Sequence, residues 1–270
     1  MYTYLLLALQ AGTISLGALG LGWWLHRRLP VRWATWGWGA AAFVAAQVIH
    51  IPVLTVLSLG LKQVALSPAA VFWITVLILG GTAGLFEESA RYVILRWVDK
   101  RARSWDDAVM FGAGHGGIEA ILIALYSVVI ALVLLTSGDA LVAQTQAVSP
   151  EQAAALASQL AGLRNPHLWA VGLAVWERVI GITTHIALSI LVMRAVRTRR
   201  IAWLGLAILA HAIMDGMIGI VGRYTNNNIF AVEAVLTALT LVAVYVIVQS
   251  RRQARAELSL RASLTQPQHA

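Results

Sequence analysis

The sequence predicts an all-α fold, a polytopic bundle of about seven transmembrane helices. Of the 270 residues, 59% are apolar and 12% are charged, whereas a soluble domain carries about twice that charged fraction. The apolar residues form runs long enough to cross a hydrocarbon core of about 30 Å, which takes roughly 20 helical residues. The sequence contains no cysteine, which excludes disulfides and thiolate metal sites.

We predict one transmembrane domain over residues 1–250 and a basic cytoplasmic tail over 251–270 that leaves the bilayer. The predicted spans are 2–25, 34–59, 69–97, 107–136, 168–194, 201–221 and 229–249. The first span is too long for a cleavable signal peptide, and no basic segment precedes it. The long external loop 137–167 contains an Ala- and Gln-rich stretch, 150–163, which predicts a short amphipathic helix on the membrane surface.

The basic residues predict an external N-terminus and a cytoplasmic C-terminus. Fifteen of the twenty Lys and Arg residues lie in the odd-numbered loops and the tail, and three lie in the even-numbered loops. Such an excess marks cytoplasmic loops. Because this placement explains the net charge of +8, we expect no nucleic-acid partner. The remaining two basic residues, Arg91 and Arg178, fall inside spans and need partners there. We predict a multi-pass protein of the bacterial cell membrane.

Eight ionisable residues lie inside the predicted spans. They are Glu87, Glu88, His115, Glu119, Glu177, His185, His211 and Asp215. An ionisable group at bilayer depth costs a few kcal/mol, so such residues are rare and usually functional. At 1.5 Å per residue, the predicted orientation puts Glu87 and the three histidines about 12–15 Å from the cytoplasmic side. We therefore expect four helices to place polar groups in one layer.

Helical spacing predicts which of these groups pair within a span. Arg91 can meet Glu87 at i+4 or Glu88 at i+3, and His211 and Asp215 share a face at i,i+4. The i,i+4 pair on the fourth span is His115 and Glu119.

Other positions have a structural interpretation. Glu177 and Arg178 form either a second polar layer or an ion pair. Gly112 and Gly116 make a small-xxx-small face for close helix packing. Four histidines at span ends, in the external loop or in the tail are not expected to take part in chemistry: His26, His50, His167 and His269.

A buried carboxylate beside histidines suits hydrolysis. The glutamate takes a proton from water, and a histidine either binds a metal or donates to the developing oxyanion. His115, His185 and His211, with one acidic residue, would supply enough ligands for zinc or another divalent metal. The local HExxH spacing of zinc proteases is absent, so the ligands would have to come from different helices.

Three short motifs in order resemble a known superfamily. The strings FEESAR at 86–91, FGAGH at 111–115 and HAIMD at 211–215 resemble intramembrane endopeptidases of the CAAX-protease and bacteriocin-processing superfamily, which includes the PrsW site-1 proteases. GAGHGGIEAIL and WERVIGITTHIALSILV are most similar to the YhfC branch of intramembrane metalloproteases. The resemblance covers roughly residues 80–220.

The resemblance implies roles for the first two motifs. Glu87 would be the general base that activates water, with Glu88 assisting it or held by Arg91. His115 would orient that water or bind a metal. The arginine stands one residue earlier than in the usual EExxxR pattern, which leaves open which glutamate faces the site.

In the third motif, His211 and Asp215 would hold the oxyanion or complete a metal shell. Asp215 replaces the asparagine of some members, and an ionised aspartate is a poor oxyanion donor. Asp215 would better serve as a metal ligand, as a group that orients a histidine or as a protonated acid. The remaining residues have no counterpart in the short motifs and form a possible additional layer: Glu119, Glu177 and His185.

The expected function is therefore that of an intramembrane endopeptidase, cutting a membrane-embedded or lipid-modified peptide from the cytoplasmic side. A proton or divalent-cation transporter is an alternative, but it predicts polar residues toward both faces, and the outer halves of spans four and six are nearly all apolar. A non-catalytic membrane scaffold is the third hypothesis.

Overall fold

The computed structural model describes the backbone of residues 1–265, so the end of the predicted tail, including His269, lies outside the described residues. The helices are α1 (Tyr2–Arg28), α2 (Trp33–Leu61), α3 (Pro68–Val93), α4 (Trp105–Gln146), α5 (Pro150–Arg164), α6 (Leu168–Thr198), α7 (Ala202–Tyr224) and α8 (Ile229–Thr265). A π-helical turn, Ile94–Val98, continues α3. No strand occurs in the described part of the chain, which confirms the all-α class.

Seven of the helices described are long and apolar enough to cross a membrane, as the sequence predicts; α5 is the exception. The largest difference is at α4, which has 42 residues and continues to Gln146, ten residues beyond the predicted end of the span. Gly138 lies in this extension and would weaken an isolated helix. There, however, a Cβ on Gly138 would lie 2.8 Å from Leu160 of α5, so the missing side chain lets α5 pack closely.

The predicted helix in the long loop is confirmed as α5. Ser149 caps its N-terminus by accepting a hydrogen bond from the backbone N–H of Gln152 at 3.4 Å, and Pro150 occupies the first helical position. Both residue types favour a helix start. Arg164 at the other end pairs with Asp139 of α4 at 2.6 Å.

The last helix is longer than its predicted span, which ends at residue 249. α8 continues to Thr265, through most of the sequence predicted as the tail. Arg197 of α6 donates to Glu257 of α8 at 2.9 Å, a contact that keeps this polar extension beside another helix. Periodicity of apolar residues alone cannot reveal such a polar continuation.

The residue contacts divide the chain into two compact units. One contains 1–20 and 118–179, and the other contains 21–117 and 180–270. Three helices, α1, α4 and α6, contribute to both units. This grouping follows contacts rather than chain order, and the single transmembrane domain over 1–250 stays a prediction.

Glycines bring α4 and α6 close together within the second unit. A Cβ on Gly112 would lie 2.5 Å from the Cα of Ile186, and one on Gly116 would lie 2.9 Å from the Cα of Ile182. Real side chains do not fit at such distances, so the two backbones touch through these positions. The structure confirms the predicted small-xxx-small contact.

Two further helix pairs in this unit pack in the same way. A Cβ on Gly80 or on Gly84 of α3 would lie 2.6 Å from a carbonyl oxygen of α7. A Cβ on Gly39 of α2 would overlap the backbone of α4, and one on Gly114 of α4 would overlap the backbone of α2. Helices α2, α3, α4, α6 and α7 thus approach closely where the polar residues lie.

Candidate metal and catalytic site

The second unit contains a buried cluster of polar side chains from α3, α4, α6 and α7. Its buried members are Glu87, Glu88, Arg91, His115, His185 and His211. The structure brings the histidines side by side: the ring centroids of His115 and His185 are 4.9 Å apart, and those of His185 and His211 are 5.3 Å apart. The four helices thus converge on one layer of polar groups.

Three members of this cluster have the arrangement of metal ligands. Glu87, His115 and His185 each offer one donor atom, and these atoms lie within 4.8 Å of one another. The Nε2 atom of His115 is 3.0 Å from Oε2 of Glu87. The sequence analysis suggested three histidines with one acidic residue, and this group contains His115, His185 and the acidic Glu87 but not His211.

Arg91 distinguishes the two adjacent glutamates. It is fully buried and pairs with Glu88 at i+3, with 3.2 Å between Nη2 and Oε1. Its Nη1 donates to the backbone carbonyl of His185 and to the hydroxyl of Ser189, each at 2.8 Å. Because Arg91 is anchored on α6 in this way, it holds Glu88 and leaves Glu87 beside His115 and His185.

Arg91 also sets the protonation pattern of His185. Its Nη2 lies 3.1 Å from Nδ1 of His185. A guanidinium only donates hydrogen bonds, so Nδ1 must accept and the proton of the neutral ring lies on Nε2. Nε2 is therefore the nitrogen that His185 can present to the site.

His211 lies between three carboxylates. Its Nδ1 donates to Oε1 of Glu88 at 2.8 Å. Its Nε2 lies 3.8 Å from Oε2 of Glu87 and 3.6 Å from Oδ2 of Asp215, the predicted i,i+4 neighbour. Asp215 is partly exposed. The bond to Glu88 fixes the orientation of the ring, so Nε2 points to the other two carboxylates.

Helix α2 adds residues that sequence reasoning missed. The side-chain amide of Gln47 donates to Oε1 of Glu87 at 2.8 Å. His50 lies 3.3 Å from Gln47 through Nδ1 and 2.9 Å from Thr82 through Nε2. The expectation that His50 lies at a span end is wrong: it is buried within α2. The signal was present, because Gln47 and His50 are i,i+3 in an otherwise apolar run.

Two residues of the predicted additional layer belong to the other unit. Glu119 lies one helical turn beyond His115 on α4, and Glu177 lies on the first part of α6. Glu177 forms an ion pair with Arg178. Of the two interpretations of that pair, the structure therefore supports the ion pair. The cluster described above consists of residues of the second unit.

Comparison with known proteins supports the resemblance. A protein family described as YhfC intramembrane metalloprotease matches residues 12–251 of the chain. The chain is 36% identical over 183 residues to the uncharacterised membrane protein YhfC of Bacillus subtilis (strain 168), a match that covers 63% of this chain. It spans 66% of the length of that relative. No solved structure matches the chain.

Proposed function

This chain belongs to the YhfC intramembrane metalloprotease family, and from that premise and the geometry of the cluster we propose that it hydrolyses a peptide bond within the membrane. The observation that carries the proposal is the group of Glu87, His115 and His185, whose donor atoms lie within 4.8 Å of one another. All three residues are buried in helices long enough to span a membrane. Placing such groups at that depth is costly, and function is the usual reason that they persist.

The donor set fits a divalent metal such as zinc. Carboxylate oxygen and imidazole nitrogen are zinc ligands, and catalytic sites use three protein ligands with one open position. Nδ1 of His115 is buried with no hydrogen-bond partner among the described residues, so the second nitrogen of this ring is also available. Glu87, His115 and His185 would hold the ion, which would polarise the substrate carbonyl and the attacking water. Because Nδ1 of His185 accepts from Arg91, binding at Nε2 would require that nitrogen to lose its proton.

Glu87 is proposed to accept the proton of the attacking water through the carboxylate oxygen that would not hold the ion. Gln47 donates to Oε1 at 2.8 Å and His115 lies 3.0 Å from Oε2, so both oxygens are held in place. A base must lie within hydrogen-bond reach of the proton that it takes, and oxygens that are already held in place need little further ordering to reach it. Glu88 is less suited to this role because Arg91 and His211 both engage its Oε1.

His211 is proposed to protonate the leaving amine. As water oxygen attacks the carbonyl carbon and the C–N bond breaks, the amine nitrogen needs one proton. With Nδ1–H donated to Glu88, the Nε2 atom of His211 is free to carry a proton, and Asp215 at 3.6 Å would stabilise the charged ring. A histidine oriented by a carboxylate is a common general acid in hydrolases.

The location of the cluster favours a substrate that is itself in the membrane. Peptides that are membrane-embedded or lipid-modified are the proposed class, reached from the cytoplasmic side if the basic loops are cytoplasmic. The protein would then bind its peptide substrate within the lipid bilayer.

Profiling of protein termini tests this function directly. Cells that produce the wild-type chain or the Glu87→Gln variant are fractionated, and new N- and C-termini of membrane proteins are identified by mass spectrometry. We expect termini within or beside the spans of other proteins in wild-type cells, and their loss with Glu87→Gln.

The matched control is Glu151→Gln, since Glu151 is an exposed residue of α5. This variant should give the wild-type termini at an equal amount of protein in the membrane. If Glu87→Gln also gives them, Glu87 is not the base and the proposed mechanism is wrong.

A further inference from the structure

A second site candidate is a cavity of about 670 Å³ in the unit that contains the polar cluster. It lies where the π-helical turn, α6 and the polar part of α8 meet the first residues of α4 and α7. Its lining includes five arginines and one acidic residue: Arg96, Arg103, Arg194, Arg197, Arg199 and Glu257. A volume of this size is typical of a ligand pocket.

Two of these arginines make polar contacts with other parts of the protein. Arg103 donates to the backbone carbonyl of Leu95 at 2.8 Å, and Arg197 pairs with Glu257 at 2.9 Å. Each of these contacts ties one end of a helix to a neighbouring segment. Glu257, the one acidic side chain among the lining residues that the structure describes, is thereby already paired.

The other three arginines leave positive charge in the cavity. Arg194 lies over the ring of Trp203, 3.9 Å from its centroid. Neither Arg96 nor Arg199 makes a hydrogen bond or ion pair with any residue that the structure describes. Arg199 also has a φ of 56° directly after the end of α6. That conformation is uncommon for a residue other than glycine. The chain keeps an arginine there, and its side chain lines the cavity.

Part of the remaining lining is apolar, and two of its apolar residues lie on the outside of the helices. Ile190, Leu191 and Val246 contribute to it, and so do Leu206 and Tyr245, which are 45% and 62% exposed. On helices that cross a membrane, such exposed apolar side chains face lipid. The cavity therefore joins a cationic end to a lipid-facing apolar end.

We propose that this cavity binds an anionic phospholipid. Arg96, Arg194 and Arg199 would hold the phosphate, because guanidinium groups match phosphate oxygens with paired hydrogen bonds. Leu206 and Tyr245 would contact the start of the acyl chains. Basic pockets between transmembrane helices are known to take such headgroups. The site is separate from the polar cluster and does not depend on hydrolysis.

The test measures lipid binding to the purified, delipidated protein in nanodiscs of phosphatidylcholine. Phosphatidylglycerol is titrated in, and bound lipid is counted by native mass spectrometry. We expect saturable binding of phosphatidylglycerol over phosphatidylcholine. Arg96→Gln with Arg199→Gln should weaken it about 30-fold, at about fivefold for each arginine near the headgroup. Arg96→Lys with Arg199→Lys should retain most of the affinity.

The matched control is Arg101→Gln with Arg200→Gln, which removes the same charge from exposed residues outside the cavity lining. An equal loss of affinity for phosphatidylglycerol in this control would show a general charge effect and would overturn the proposed site. Equal binding of phosphatidylcholine would also overturn it. Inorganic phosphate in large excess should not displace the lipid; displacement would assign the site to a soluble phosphate compound instead. Thermal unfolding of each variant shows whether it is folded.

Discussion

At the scale of single residues, the geometry gives two adjacent glutamates different environments. Glu88 is held by Arg91 at 3.2 Å and by His211 at 2.8 Å, whereas Glu87 contacts Gln47 and His115. The sequence predicted the i+3 pairing of Arg91 with Glu88 as one of two possibilities. It could not decide between them, because the choice depends on where α6 supplies the carbonyl and hydroxyl that anchor Arg91.

The contact of Gln47 with Glu87 leads to a prediction at this scale. Replacing Gln47 by Met keeps the length of the side chain and removes the donor to Oε1 of Glu87. Loss of a residue that orients a metal ligand typically lowers metal affinity by about 10–100-fold. Competition with a chromogenic chelator measures the affinity. Gln63→Met, at the exposed residue after α2, is the control and should have no effect; equal affinities for the two variants would refute a positioning role for Gln47.

At the scale of the helices, close packing through glycine places the polar layer. The backbones of α2 and α4 touch at Gly39 and Gly114, next to His115. The glycines around His115 were visible in the sequence, but their partners were not. Which helix faces which is decided by long-range packing, and spacing within one helix carries no information about it.

Substitution of one glycine on α2 tests this packing. Gly39→Ala adds a Cβ that would overlap the carbonyl of Phe111, so α2 must move away from α4. We expect a loss of about 1–3 kcal/mol of stability, as overpacked cores show. Gly37→Ala is the matched control, since a Cβ there meets nothing within 4 Å. It should be neutral or slightly stabilising, because alanine favours a helix over glycine by about 1 kcal/mol.

Thermal unfolding in detergent, followed by size-exclusion chromatography after heating, compares the two variants. An equal decrease of the thermal midpoint in Gly37→Ala and Gly39→Ala would contradict close packing of α2 on α4 at Gly39.

At the scale of the whole molecule, composition and charge predicted the fold class and the number of spans, because the bilayer imposes a length and a polarity on every crossing helix. The distance of each residue from the cytoplasmic end of its predicted span predicted that Glu87, His115, His185 and His211 lie in one layer. The length of α4 and the helical tail were not predictable in this way, since both depend on contacts with α5 and α6. Gln47 was missed because a neutral amide in a span costs less than a charge and stands out less.

Glu87, His115 and His185 are proposed above all to form a metal site. Elemental analysis of the protein purified without chelator tests this most directly. The variants His115→Ala and His185→Ala are compared with wild type. The control is His167→Ala, since His167 is an exposed histidine outside the cluster. We predict about one divalent metal ion per chain in wild type and in His167→Ala, and its loss in the two cluster variants. Wild-type protein without metal, or cluster variants that retain it, would contradict the account.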